Sequence, residues 1–234
     1  KIERTGFACP HRMFSSSLLV PFGASEMIKV CIEEGLFDCA VVVCEGAGTV
    51  ITENSELVQE IGAFLTGIVK TSPVQRIIEH IKSKGGEILD EKLARIDQVE
   101  GVKKAAELGY RKVAVTVGGF DAQAIPRIRD IEEKKKNTEV TIFSVCNTCV
   151  GERDVEYLKM ADLVWASASR IVRERIGPMA WLQIGVAIPV FALTNKGKEV
   201  ILTYLRKFSD KIVIFRTRSL PYIVEGRSPQ LKNE

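Results

Sequence analysis

At 234 residues with 46% hydrophobic content, the chain is long enough to bury a full core as one α/β domain or two small ones. A net charge of +3 with 27% charged residues is a near balance, which argues against a nucleic-acid groove held by charge alone. The six cysteines are too few and too scattered for a disulfide scaffold, and the longest apolar segment, 179–193, is broken by Gln183, Gly185 and Pro189 and is too short to span a bilayer. We therefore expect a cytoplasmic protein with reduced thiols and no membrane contact. The chain opens on Lys1 rather than Met, and is expected to be a piece of a longer protein.

Residues 1–17 show no clear periodicity and form an irregular lead-in; Cys9-Pro10-His11-Arg12 within it reads as a polar turn. Residues 18–22 are a short strand candidate limited by Pro21, and a helix then starts at Gly23-Ala24-Ser25-Glu26 with Met27, Val30 and Cys31 at helical spacing. Gly35 ends that helix. Residues 37–43 are almost uniformly apolar and predict a strand buried on both faces. That strand breaks into Cys44-Glu45-Gly46-Ala47-Gly48-Thr49, a turn with exposed backbone N–H groups.

Asn54 or Ser55 caps the next helix, whose apolar face is Leu57, Val58, Ile61, Phe64 and Leu65. Residues 67–70 read as a strand, and Thr71-Ser72-Pro73 opens a helix carrying Val74, Ile77, Ile78 and Ile81. A brief strand at 87–90 follows, then a helix capped by Asp97, then a buried strand at 112–117 leading to Gly118-Gly119. The helix over 121–136 contains Pro126, which predicts a kink or a later start, and its lysine-rich end reads as a solvated terminus. Further strands are expected at 139–145, 162–166, 188–193 and 211–215, with helices at 152–160, up to Ile176, and up to Phe208 capped by Thr194 or Asn195. Residues 179–185 read as a connection, and the tail from Arg216 as irregular.

Strands alternating with helices imply stacked βα units. The expected fold is α/β, a mostly parallel sheet flanked by helices on both faces in a Rossmann-like three-layer sandwich, with a compact βα barrel as the alternative. The α/β domain is expected over 18–215, between the lead-in at 1–17 and the tail at 216–234.

In a parallel sheet the strand carboxyl ends share one edge, so the polar residues after each strand converge there. The candidate acid or base is Glu45. Candidate ligand-binding residues are Gly46, Gly48 and Thr49; Lys70, Thr71 and Ser72; Gly118 and Gly119; and Ser167, Ser169 and Arg170. Glycines admit a ligand to the backbone, helix starts supply N–H donors, and Lys70 and Arg170 add positive charge, so the pattern points to a small anionic molecule. Capping of the following helices explains the same small polar residues without a ligand. The glycine turn lacks the Gly-Lys-Thr/Ser of a phosphate loop, and Ile51 stands where a dinucleotide fingerprint has its third glycine. Cys146-Asn147-Thr148-Cys149 has Cys-x-x-Cys spacing, half of a zinc or iron–sulfur site, for which Cys9, Cys44 or His11 are the available partners. Buried or incidental thiols are the competing explanation.

Several runs together resemble one family: Phe22-Gly23-Ala24-Ser25-Glu26, the stretch 43–52, Lys70-Thr71-Ser72-Pro73, the stretch 96–105, Ala161-Asp162-Leu163-Val164, and Ile188-Pro189-Val190-Phe191-Ala192-Leu193-Thr194. They resemble the methanogenesis marker protein 8 family of archaea, over most of the chain from Cys9 onward. The resemblance carries over no catalytic residues. It implies a cytoplasmic archaeal setting linked to methane metabolism, with methanogenesis enzymes or maturation proteins as partners. Three functions stay open on the sequence: a binder of a small anionic metabolite or cofactor, acting as an enzyme or not; a metal or iron–sulfur assembly factor using Cys9, Cys44, Cys146 and Cys149; and a non-catalytic partner-binding protein.

Overall fold

The structure is a computed structural model and describes residues 5–17, 20–63, 67–224 and 226–232. The chain forms two compact units, one of Lys1–Thr116 with Arg127–Val140 and one of Val117–Pro126 with Thr141–Glu234.

In the first unit the run Cys-Ala-Val-Val-Val-Cys makes β1 (Cys39–Cys44), and all six residues are buried. Such a strand needs cover on both faces. The chain then reverses into β2 (Gly48–Thr52), paired antiparallel with β1 from Ala40↔Thr52 to Cys44↔Gly48. Gly46 at φ +80° and Gly48 at φ +78° make this short hairpin possible. β2 was not expected from the sequence. The glycine turn serves chain reversal there, and β2 is as fully buried as β1.

Beside β2 lies β3 (Glu87–Ile88), again antiparallel, while β4 (Lys112–Gly118) pairs parallel with β1 from Cys39↔Val113 to Val41↔Val115. The order is β3-β2-β1-β4. Among the described residues this unit holds α1 (Ala24–Glu33), α2 (Ser55–Gly62), α3 (Gln75–Ser83) and α4 (Gln98–Glu107), together with the part of the helix Ala124–Lys134 that runs from Arg127. Asn54 caps α2 by accepting from Leu57 N at 3.0 Å, and Asp97 caps α4 by accepting from Glu100 N at 3.0 Å. Both are the capping residues read from the sequence. α1 packs on α2, and both α2 and α4 pack on β1. Gly101 allows the close approach of α4, since a Cβ there would stand 2.6 Å from Val41 Cγ1.

The second unit contains β5 (Glu139–Val145, from residue 141), β6 (Leu163–Trp165), β7 (Leu182–Ile184) and β8 (Val190–Ala192) in the order β5-β6-β8-β7. β5 and β6 are parallel; β8 is antiparallel to both of its neighbours. Helix α5 (Ala124–Lys134) carries Pro126 in its first turn, where no helical N–H is needed. It is followed in the chain by the single turn α6 (Val155–Leu158), a π-helical segment (Val172–Ile176), and α7 (Asn195–Lys207). Asp162 ties the start of β6 to its surroundings: its carboxylate accepts from Ile142 N at 2.7 Å and from Thr194 Oγ1 at 2.6 Å. Thr194 in turn caps α7 through Gly197 N.

The α/β expectation holds, with parallel pairing among the inner strands and antiparallel strands added outward. Neither strand order closes on itself, which removes the barrel alternative. Four local readings are corrected. Residues 67–70 are coil, residues 211–215 have no regular secondary structure and no sheet partner among the described residues, and residues 182–184 are a strand rather than a connection. Of the candidate strand at 18–22, residues 20–22 form a turn and residues 18–19 lie outside the described residues, as do Phe64 and Leu65 of the expected α2 face. No helix among the described residues is long and apolar enough to cross a membrane.

Candidate functional site

The residues singled out from the sequence fall into two places. The first is the hairpin turn of β1 and β2. Glu45 is buried and forms an ion pair with Arg12, whose Nε and Nη2 both face its carboxylate. The side chains of both residues are 1% exposed. Arg12 also donates to the carbonyls of Glu60 at 3.2 Å and Ile61 at 3.1 Å, so it pins the N-terminal segment to the end of α2. Its guanidinium lies 4.1 Å from the centre of the Phe14 ring, and Phe14 stacks on His80 at 3.7 Å. His80 Nε2 is 2.8 Å from Glu60 Oε2.

The turn glycines are occupied by the chain itself. Gly46 N donates to Thr71 Oγ1 at 2.8 Å, and Gly46 O accepts from Val74 N at 2.8 Å. A Cβ on Gly48 would run into the backbone of Ala94. Thr49 donates from its hydroxyl to Gln98 Oε1 at 2.8 Å and accepts from Asp97 N at 2.8 Å. Gln98 passes the network on to the carbonyls of Val41 and Thr116. At the expected ligand cradle, Gly46 and Thr49 hydrogen-bond to two loops of the same unit and Gly48 packs against one of them. The carboxylate of Glu45, the expected acid or base, faces the Arg12 guanidinium. Thr71 is a hydrogen-bond partner of the turn, while Lys70 and Ser72 are exposed beside it.

The second place is in the second unit, where the chain leaves β5 and β6. Asn147 is fully buried. Its amide donates to Trp165 O at 2.8 Å and Ser144 O at 3.1 Å, its Oδ1 accepts from Ser144 Oγ at 3.0 Å, and its backbone N donates to Ser167 Oγ at 3.1 Å. Gly119 lies against it, since a Cβ on Gly119 would collide with Asn147 Oδ1. Three segments expected from the sequence to converge, 118–121, 146–149 and 167–170, are thus joined through one asparagine. Cys146 at φ +56° and Ser167 at φ +49° both hold left-handed backbone, a conformation that costs a non-glycine residue of order 1–3 kcal/mol and concentrates at functional sites.

Below this junction sits Arg173, in the π-helical segment and 2% exposed. Nη1 donates to Ser169 O at 2.8 Å and to Ala166 O at 3.4 Å, and Nη2 to Ala187 O at 3.1 Å. Its Nε has no hydrogen-bond partner among the described residues. Burial pulls its pKa below the ordinary guanidinium value. Among the described residues its hydrogen-bond partners are carbonyl oxygens, so this buried cation is held by backbone dipoles. Ser169 is buried at the start of this segment and its Oγ accepts from Val172 N at 3.2 Å. Arg170 is exposed, with Glu174 at 3.7 Å.

The thiols divide by unit. Cys44 is buried beside Glu45, to whose carbonyl its Sγ donates at 3.4 Å, and burial drives its pKa far up, away from the thiolate a metal needs. Cys9 is partly exposed. In the second unit Cys146 is partly exposed and Cys149 exposed. Among the described residues no group of three or more His, Cys, Asp or Glu side chains is placed to hold a metal ion.

Residues 1–206 match the model of a family described as "Uncharacterized protein conserved in archaea (DUF2099)". The chain belongs to this family. A DUF2099-type relative, "Uncharacterized protein MJ0054" of Methanocaldococcus jannaschii, is 40% identical over 233 residues, spanning 99% of this chain and 80% of the relative. Among solved structures, a chain of the F420-reducing [NiFe] hydrogenase complex from Methanosarcina barkeri aligns with 13% identity and a TM-score of 0.42, over 78% of this chain and 72% of its own. A likeness at that level bears on neither the chemistry nor the site.

Within this DUF2099 chain, sequence reasoning passed over Arg12 and Arg173. Arg12 lay in a stretch without periodicity and carried no signal. Arg173 stands in the charged run Arg173-Glu174-Arg175 between Ile171-Val172 and Ile176, which reads as an exposed helix face, and it carried no signal either.

Proposed function

We propose that this protein binds a small anionic metabolite or cofactor in its second unit, at the carboxyl ends of β5 and β6. The observation that carries this reading is the Arg173 guanidinium, buried with an unpartnered Nε and hydrogen-bonded, among the described residues, to carbonyl oxygens alone. A buried charge without a counter-charge costs several kcal/mol, and an anion removes that cost. The segments around Gly118-Gly119, Cys146–Cys149 and Ser167–Arg170 would form the wall, with Asn147 holding them in register. Left-handed backbone at Cys146 and Ser167 fits a loop shaped for a ligand rather than for folding alone. The archaeal family and the resemblance to methanogenesis marker protein 8 support a place for this anion in methane metabolism, with methanogenesis enzymes or maturation proteins as partners. Cysteines held as thiols suit a reducing, cytoplasmic setting.

The test is thermal unfolding and calorimetric titration of the intact protein with inorganic phosphate, pyrophosphate and sulfate, beside Arg173→Met and Arg173→Lys. A bound anion at 100-fold its Kd adds about 2.7 kcal/mol of stability. We expect the wild type to gain stability from at least one anion, Arg173→Met to lose that gain, and Arg173→Lys to keep part of it. A gain that survives Arg173→Met, or no gain with any of the three anions, overturns the assignment.

A further inference from the structure

The segment after α7 reads Asp210-Lys211-Ile212-Val213-Ile214-Phe215-Arg216, a strand by composition. In the structure Asp210 lies at a bend and residues 211–216 have no regular secondary structure, and among the described residues no backbone hydrogen bond or sheet partner engages residues 211–216. Val213 is 86% and Ile214 83% exposed, with Phe215 at 56% and Ile212 at 40%. An exposed β-forming run with an apolar centre and unpaired N–H and C=O groups is a template for another strand. Its own charges say which strand fits.

We propose that two copies of this chain pair through this segment as a two-fold antiparallel ribbon centred on Val213. In that register Val213 faces Val213 of the partner subunit, Ile212 faces the partner's Ile214, and Asp210 faces the partner's Arg216. Because of the two-fold, the last two pairs occur twice. One face of the ribbon then carries Asp210, Ile212, Ile214 and Arg216, an apolar centre closed at each end by opposite charges. The other face carries Lys211 opposite the partner's Phe215, a cation beside an aromatic ring. No like charges stand opposite each other, the condition that favours cross-strand pairing. Parallel pairing in register would instead set Asp210, Lys211 and Arg216 each against its own copy. Moving the antiparallel centre by half a residue towards Ile214 sets Lys211 against the partner's Arg216. The register centred on Val213 sets Asp210 against Arg216 twice, and this charge complementarity favours a second copy as the partner.

The experiment is sedimentation velocity of the intact protein over a range of concentrations, comparing wild type with Asp210→Arg, Arg216→Asp and the double variant. We expect a reversible wild-type dimer, at least about tenfold weaker in each single variant because two pairs turn repulsive at once, and restored by the double exchange. Circular dichroism checks that the exposed substitutions leave the fold intact. In a second measurement, Val213→Cys in a Cys149→Ser background cross-links to a covalent dimer on mild oxidation, since the two residues at the axis stand within disulfide reach, whereas Ile212→Cys does not. A protein that stays monomeric, or a dimer indifferent to both single charge reversals, overturns the proposal; the second result places the dimer contact on another surface.

Discussion

The hairpin turn at Glu45–Thr49 and the loops after β5 and β6 are built from the same kinds of residue, and they end up in opposite states. Around the hairpin, Arg12 answers Glu45, Thr71 and Val74 answer Gly46, and Gln98 and Asp97 answer Thr49. Around β5 and β6, Asn147 satisfies the backbone thoroughly, yet Arg173 keeps a buried positive charge with an unpartnered Nε. Glycine, serine and a charged group after a strand therefore do not by themselves make a site. What distinguishes the second place is a polar group that the fold buries and does not satisfy.

If the hairpin is structural, damage there should appear as lost stability. The largest effect is expected for Arg12→Ala, which leaves Glu45 buried without its partner and should cost about 3–5 kcal/mol in urea unfolding. Replacing both residues by apolar ones, Arg12→Met with Glu45→Leu, should recover most of that loss. A loss of under about 1 kcal/mol for Arg12→Ala would put the pair in water and undo the contrast between the two places.

Gly48→Ala is expected to come next, at roughly 2–3 kcal/mol, because it combines left-handed backbone with a collision against Ala94. Gly85→Ala is its control: φ is again +78° but nothing stands within 4 Å of the added Cβ. That variant should lose only about 1 kcal/mol. Equal losses at the two positions would mean that the 94–98 loop does not press on the hairpin.

Asn147→Ala tests the other place. Loss of its three side-chain hydrogen bonds should cost about 1–3 kcal/mol and should also weaken any anion binding that depends on Arg173, since the loops would lose their register. A stability loss with anion binding unchanged would separate Asn147 from the site.

The smallest effect is in the thiols. Cys149 should react first with a thiol reagent in the native protein, and Cys31, Cys39 and Cys44 only on unfolding. Burial raises the pKa of both Cys39 and Cys44 above the ordinary thiol value. Their neutral forms are therefore favoured in the native state. The stability they contribute is complete below the unfolded thiol pKa of about 8.5 and declines as pH rises above it. Chemical denaturation at neutral and at alkaline pH, compared with a Cys39→Ala and Cys44→Ala protein, reads that slope. A steeper alkaline loss in the variant than in the parent has the wrong sign.

Much of the layout was legible in the chain. The apolar run 37–43 read as a buried strand, and Asp97, with Asn54 and Thr194 as one of two choices each, read as helix starts because their short side chains reach back to free N–H groups. Periodicity and capping are local, and local signals survive without the fold. β2 was missed because Thr-Val-Ile-Thr after a glycine turn reads equally as a strand or as coil until its pairing with β1 is known. The segment 211–215 failed in the other direction: its composition says strand, but a strand needs a neighbour, and none engages it among the described residues.

By itself, then, the sequence determined the α/β class, most helices with their caps, and the places where polar residues follow strands. Tertiary structure alone decided which of those polar residues are already satisfied. Arg12 reaches Glu45 across 33 positions and Gln98 reaches Thr49 across 49, and no local pattern encodes either meeting. Whether a buried guanidinium finds a carboxylate depends on which backbone the packing brings to it, and at Arg173 the packing brings carbonyl oxygens.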